Sequence, residues 1–127
     1  RYVEFFNNIK VLPDLNANGR LTLGENLADH GGLQVAYYAL KNATKTQALP
    51  VIDGLTPEQR FFLAYAGVWA GNINEAEIRN RTKSDPHSLS RWRVNGALPH
   101  IDMWYEAFGI KEGDKMFIPK SERLELW

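Results

Sequence analysis

The sequence predicts a mainly α fold with short extended segments, and three observations carry that prediction. Thr22 with Glu25 and Thr56 with Gln59 each form a T-x-x-E/Q capping box, in which two side chains satisfy backbone N–H groups that a helix start leaves unpaired. The stretch RFFLAYAGVWAG, residues 60–71, is apolar nearly all round, as a helix enclosed by a core is. Gly109 follows the run IDMWYEAF, where glycine suits the left-handed residue that ends many helices.

In chain order, Tyr2, Val3, Phe5, Phe6 and Ile9 recur at roughly helical spacing, which predicts the end of a longer helix. Pro13 to Gly19 reads as a loop, with Asn18-Gly19 as its turn signal, and GRLTL as a short strand. The helix opened by Thr22 and Glu25 is expected to reach about Lys45, with Leu27, Leu33, Val35, Ala36, Tyr38 and Leu40 as a broad apolar surface. Gly31-Gly32 in its middle costs roughly 1 kcal/mol per glycine relative to alanine, so something approaches closely there or the helix bends. A linker containing Pro50 and Asp53-Gly54 comes next. In the following helix Thr56 suits the N-cap and Pro57 the first helical position. NEAEIRNRTKSD reads as a polar surface helix, DPHSLSRWRVNG as a loop entering a short helix, and GDKMFIP as a short extended segment.

A chain of 127 residues fits one domain or part of a larger one and can bury a core. A hydrophobic fraction of 44% and an aromatic fraction of 12% argue against disorder. Lys+Arg and Asp+Glu both number 15, so no basic excess points to nucleic acid or an anionic membrane surface. Without cysteine, disulfides and thiolate metal sites cannot form within the chain. No apolar run approaches the roughly 20 residues of a membrane-spanning helix, and no signal peptide is visible. The chain opens on RYVEFF rather than Met, which reads as the interior of an element and leads us to expect a piece of a longer or processed protein.

Glu25 and Asp29 stand four residues apart, on one face of their helix. One carboxylate could bind a cation while the other orients a neighbouring histidine ligand. Residue chemistry alone favours a plainer reading, in which Glu25 completes the capping box and complements the helix dipole. The histidines are His30, His87 and His100; no H-E-x-x-H occurs, so no standard zinc site can be assembled from this chain. His87 lies in a Pro-containing loop between Asp85 and Arg93, a setting suited either to oxyanion stabilisation or proton transfer or to capping the next helix. His30 and His100 read as surface or capping residues. Trp69 is by default a packing residue of its apolar helix.

Four segments in order carry a resemblance. LTLGENLADHGGL resembles the G-E-N-x-A-D-x-G-G-L motif of the neprilysin and endothelin-converting-enzyme family of zinc metallopeptidases, including its bacterial PepO-type endopeptidases. FFLAYAGVWAG, DPHSLSRWRVNGAL and EAFGIKEGDKMFIP resemble later segments of that family, and Trp127 its common last residue. The resemblance covers nearly the whole chain. It implies that residues 1–127 are the helical C-terminal part of a thermolysin-like (zincin) catalytic domain, acting with the rest of that domain on peptide substrates. It implies Glu25 as the third ligand of one Zn²⁺, and Asp29 as the acid that hydrogen-bonds a ligand histidine. It further implies His87 on the tetrahedral oxyanion, Arg93 on the substrate backbone, and Val68 and Trp69 near the S1′ pocket. The implied reaction is endopeptidase hydrolysis by metal-activated water.

Three departures qualify it. H-E-x-x-H, with two histidine ligands and the base, is absent and expected upstream of Arg1, together with the helical lobe that limits substrate size. Leu89 stands where the family has Pro. The cysteine that animal members carry near the C-terminus is missing, which points to a bacterial enzyme of the periplasm or envelope. The isolated piece is expected to be inactive. The competing expectation is a non-catalytic helical binding or scaffold domain derived from the family.

Overall fold

A computed structural model describes all 127 residues. Helix α1 (Tyr2–Asn7) leads into a small antiparallel hairpin, β1 (Lys10–Leu12) and β2 (Leu15–Asn16). Five helices follow: α2 (Leu23–Ala43), α3 (Pro57–Val68), α4 (Glu75–Ser84), α5 (Ser90–Asn95) and α6 (Asp102–Phe108), with 3-10 turns at Leu98–His100 and Lys120–Glu122. The mainly α prediction holds. No helix is long and apolar enough to cross a membrane.

The beginning of α2 differs from expectation. Thr22 makes no capping bond, and GRLTL forms no strand. Asn18 does the capping instead: its Oδ1 accepts from the Leu21 N–H at 3.0 Å, and the Thr22 N–H already donates to the Asn18 carbonyl at 3.1 Å. Residues 19–22 are thus consumed by a turn that runs straight into the helix. The presumed loop 13–19 in turn contains β2, whose Leu15 pairs with Leu12 and Asn16 with Lys10. Thr56 does cap α3 as expected, in a reciprocal box with Gln59 (3.1 and 3.0 Å). Gly109, at φ 62°, ends α6 in the left-handed conformation. GDKMFIP is largely turn rather than extended backbone.

The main core gathers Leu33 and Tyr37 of α2, Phe62 of α3, Val94 of α5, and Leu98, Ile101, Trp104 and Tyr105 around α6. A second cluster joins Tyr2, Phe6 and Ile9 with Leu23, Leu27, Trp92 and Leu124 around its edge. Helix α3 is not enclosed: Phe62 is its only buried residue, while Leu63 and Val68 are exposed. One side packs on α6, where Gln59 Nε2 donates to the Ala107 carbonyl at 3.0 Å. The other forms an open apolar groove of about 380 Å³ with Ala28, Gly32 and Ala36 of α2. Val35 and Tyr38 of α2 are exposed as well. Close approach explains Gly31, where a Cβ would stand 2.9 Å from the Trp127 ring; beside Gly32 there is open space.

His30 and His100 are neither surface nor capping residues. They are 0% and 4% exposed and pack with Tyr2 and Phe5, the two imidazole centroids 6.2 Å apart. Neither His30 nitrogen has a partner; His100 Nδ1 accepts the Leu124 N–H at 3.1 Å. Burial holds both imidazoles down at about 4 from the usual 6.5, with each other's charge and Arg123 adding to the effect on His100. Their folded pKa values lie below the unfolded ones, so the unfolded chain binds more protons between those limits. Their contribution to stability is therefore complete above about pH 6.5 and is lost as pH falls toward 4. Each should weaken folding by roughly 2 kcal/mol at pH 5. Denaturant unfolding at pH 7.5 and 5 checks this; a His30→Phe variant with an unchanged pH dependence would exclude His30 as a source.

Candidate metal and transition-state site

The first turns of α2 place Glu25 and Asp29 on the same side of the helix, facing the loop before α5 and α5 itself. A buried polar chain fixes that juxtaposition. Ser88 Oγ donates to Asn26 Oδ1 at 2.7 Å, Asn26 Nδ2 to Thr22 Oγ1 at 3.0 Å, and Thr22 Oγ1 to the Asn18 carbonyl at 2.9 Å. The loop carrying His87 is thereby tied to the start of α2 through atoms removed from water, where a broken bond is most costly.

His87 is oriented by Asp85. One carboxylate oxygen accepts the His87 backbone N–H at 2.9 Å and lies 2.7 Å from its Nδ1; the other accepts from Arg81 Nε at 2.8 Å. The His87 N–H, followed by the His87 ring and Arg81, hold Asp85 at about 2 against a smaller opposing effect of burial. An ionised Asp85 can only accept, so Nδ1 carries a proton and Nε2 is the nitrogen turned outward. Nε2 lies 3.4 Å from Glu25 Oε2.

Arg93, from α5, grips Asp29 with two parallel bonds: Nε to Oδ2 at 2.7 Å and Nη2 to Oδ1 at 2.8 Å. Its Nη2 is also 3.8 Å from Glu25 Oε2. The Asp29 bond is the main reason the guanidinium is held above its usual range. Trp69, at the C-cap of α3, lies with its ring 4.0 Å from the Arg93 guanidinium carbon. Val68 is exposed on the wall of the apolar groove, beside Asp29. The six residues singled out in the sequence thus occupy one neighbourhood. Glu25, Asp29, His87 and Arg93 form its polar centre, and Trp69 and Val68 its apolar flank.

Glu25 accepts no hydrogen bond and its carboxylate is part-exposed: Oε2 faces His87 and Arg93 at ion-pair range, and Oε1 has no partner. A carboxylate of that kind suits one position on zinc. No three His, Asp or Glu side chains converge to form a complete metal site within the chain. Sequence reasoning passed over Tyr65, Asn26 and Ser88, and took Asp85 only as a neighbour of His87. The buried stripe Asn26, His30, Leu33 and Tyr37 at helical spacing was the available signal for Asn26.

Comparison with known proteins shows the family of the chain. Residues 1–124 match the model of peptidase family M13. Endothelin-converting enzyme 1 of Homo sapiens is 40% identical over 129 residues, which span 98% of this chain and 16% of that protein. Neprilysin-3 of Drosophila melanogaster is 35% identical over 114 residues, 87% of this chain and 14% of the relative. The solved structure of the zinc metalloprotease Zmp1 of Mycobacterium tuberculosis with an inhibitor superposes with a TM-score of 0.94 at 33% identity, covering 99% of this chain and 20% of that one. The chain therefore spans a small part of the length of its relatives, and over nearly all of its own length it belongs to peptidase family M13.

Proposed function

We propose that this chain contributes the third zinc ligand and the transition-state residues of a zinc-dependent endopeptidase that hydrolyses short peptides. The observation that carries the reading is the convergence of Glu25, Asp29, His87 and Arg93 in one neighbourhood, with the part-exposed Glu25 free of hydrogen bonds between His87 and Arg93. Glu25 would bind zinc together with two histidines from a part of the protein outside these residues, and the chain would form the C-terminal part of the catalytic domain. Lewis acidity is what zinc supplies when bound, lowering the pKa of water and polarising the scissile carbonyl.

The chain's own residues divide the remaining work. Asp29 keeps free lone pairs after accepting two bonds from Arg93, so it can also accept the N–H of a ligand histidine and fix that ring's tautomer. The imidazolium form of His87 donates from Nε2 to the oxyanion that develops on the substrate, and Asp85 at Nδ1 stabilises that cation and keeps the ring aimed. Arg93 spends Nε and Nη2 on Asp29 and keeps Nη1 to donate to a backbone carbonyl of the peptide. The groove lined by Val68 accepts an apolar side chain of the substrate, with Trp69 following at the end of α3. The missing cysteine and the envelope setting of such enzymes favour a bacterial, PepO-type protein exported to the periplasm or cell surface.

The 127 residues alone should bind zinc weakly and cleave no peptide, because one carboxylate is a poor site. Equilibrium dialysis and a quenched-peptide assay on the purified piece check this. Robust hydrolysis by the piece alone would overturn the division of ligands.

A further inference from the structure

Tyr65 and Trp69 stand one turn apart at the end of α3, and both reach Arg93 of α5. The Tyr65 hydroxyl donates to the Arg93 main-chain carbonyl at 3.0 Å. The Trp69 ring lies against the Arg93 guanidinium, 4.0 Å from its carbon. Asp29 takes the Nε and Nη2 edge of the same group. The guanidinium is thus fixed along one edge by Asp29, on one face by an indole, and at its backbone by a phenol. Its side chain is only 13% exposed. An arginine on the surface would lose several rotamers on meeting a ligand; here that ordering is complete beforehand, and Nη1 is the edge left without a partner.

We infer that Tyr65 and Trp69 are positioning residues for Arg93: they preset the guanidinium so that Nη1 presents its N–H groups to the peptide backbone. Their effect on peptide binding passes through Arg93. The inference rests on the reading of Arg93 as a substrate-backbone contact and adds two residues and a mode of action to it. Burial and the nearby Asp29 carboxylate push the Tyr65 phenol above its usual range, so it remains a neutral donor throughout the working pH. Tyr65 also lines the apolar groove, and a change there could weaken binding without involving Arg93. A double-mutant cycle separates the two routes, because residues acting through one group are non-additive.

The test measures KM and kcat for one short peptide with the zinc-loaded, full-length enzyme and its variants. Arg93→Ala is expected to raise KM by about tenfold with zinc content unchanged, the signature of lost ground-state binding. Tyr65→Phe and Trp69→Leu should each raise KM by about three- to tenfold, and Trp69→Phe, which keeps an aromatic face, by less than about twofold. In the Arg93→Ala background, Tyr65→Phe and Trp69→Leu should change KM no further. If their effects instead multiply with that of Arg93→Ala, the positioning role is wrong while the role of Arg93 stands. If Arg93→Ala leaves KM unchanged, the reading of Arg93 itself fails, and this inference with it. Tyr65→Phe removes a single oxygen, so the cycle can be closed even if Trp69→Leu does not fold.

Discussion

His87→Ala in the complete enzyme is expected to lower kcat by about 10²- to 10³-fold, with zinc content unchanged and KM nearly so. The expectation follows from where the structure leaves this imidazole. Nδ1 is engaged by Asp85 at 2.7 Å, and the backbone of the same residue is fixed by the same carboxylate, so the ring is aimed before substrate arrives. Its outward nitrogen faces Glu25, the residue proposed to bind the metal. A donor held in that place acts on charge that develops in the transition state and touches the ground state little, so its loss falls on kcat. Asp85→Asn should lie between wild type and His87→Ala, since an amide still orients the ring but no longer stabilises its positive charge. A His87→Ala enzyme with a raised KM and normal kcat would assign this residue to substrate binding instead.

Much of the fold was legible because its signals are local. The Thr56–Gln59 box, Pro57 and Gly109 act within a turn of chain, and the structure uses each as expected. The start of α2 misled for the opposite reason. Thr22 and Glu25 have the right spacing, but Asn18 already closes a turn that feeds the helix, and only the path of the chain decides between two possible caps. Helix α3 looked like a central core helix because composition records how apolar a segment is, not what covers it. His30 and His100 were misplaced because histidine is polar by type, whereas here two neutral imidazoles fill aromatic space beside Tyr2 and Phe5.

The site divides in the same way. Glu25 and Asp29 share a helix face by spacing alone, and the structure keeps them together. The grip of Arg93 on Asp29 spans 64 residues, and the Ser88–Asn26 bond 62; no local pattern announces either. Asp85 stood two residues from His87 in plain view, but its role depends on a loop geometry that brings one oxygen to both the ring and the backbone N–H.

The central claim concerns Glu25, and Glu25→Gln tests it with little change of shape. An amide fills the same volume, so folding should be unaffected, but it carries no charge and is a poor zinc ligand. The removal leaves no buried partner stranded, since Glu25 accepts no hydrogen bond and His87 and Arg93 keep Asp85 and Asp29. Metal analysis of the full-length variant after dialysis, beside wild type, is the direct measurement. The expected result is about one equivalent of zinc in the wild type, background zinc in the variant, and peptidase activity lost with the metal. A folded Glu25→Gln enzyme that retains a full equivalent of zinc would contradict the assignment of Glu25 as a ligand.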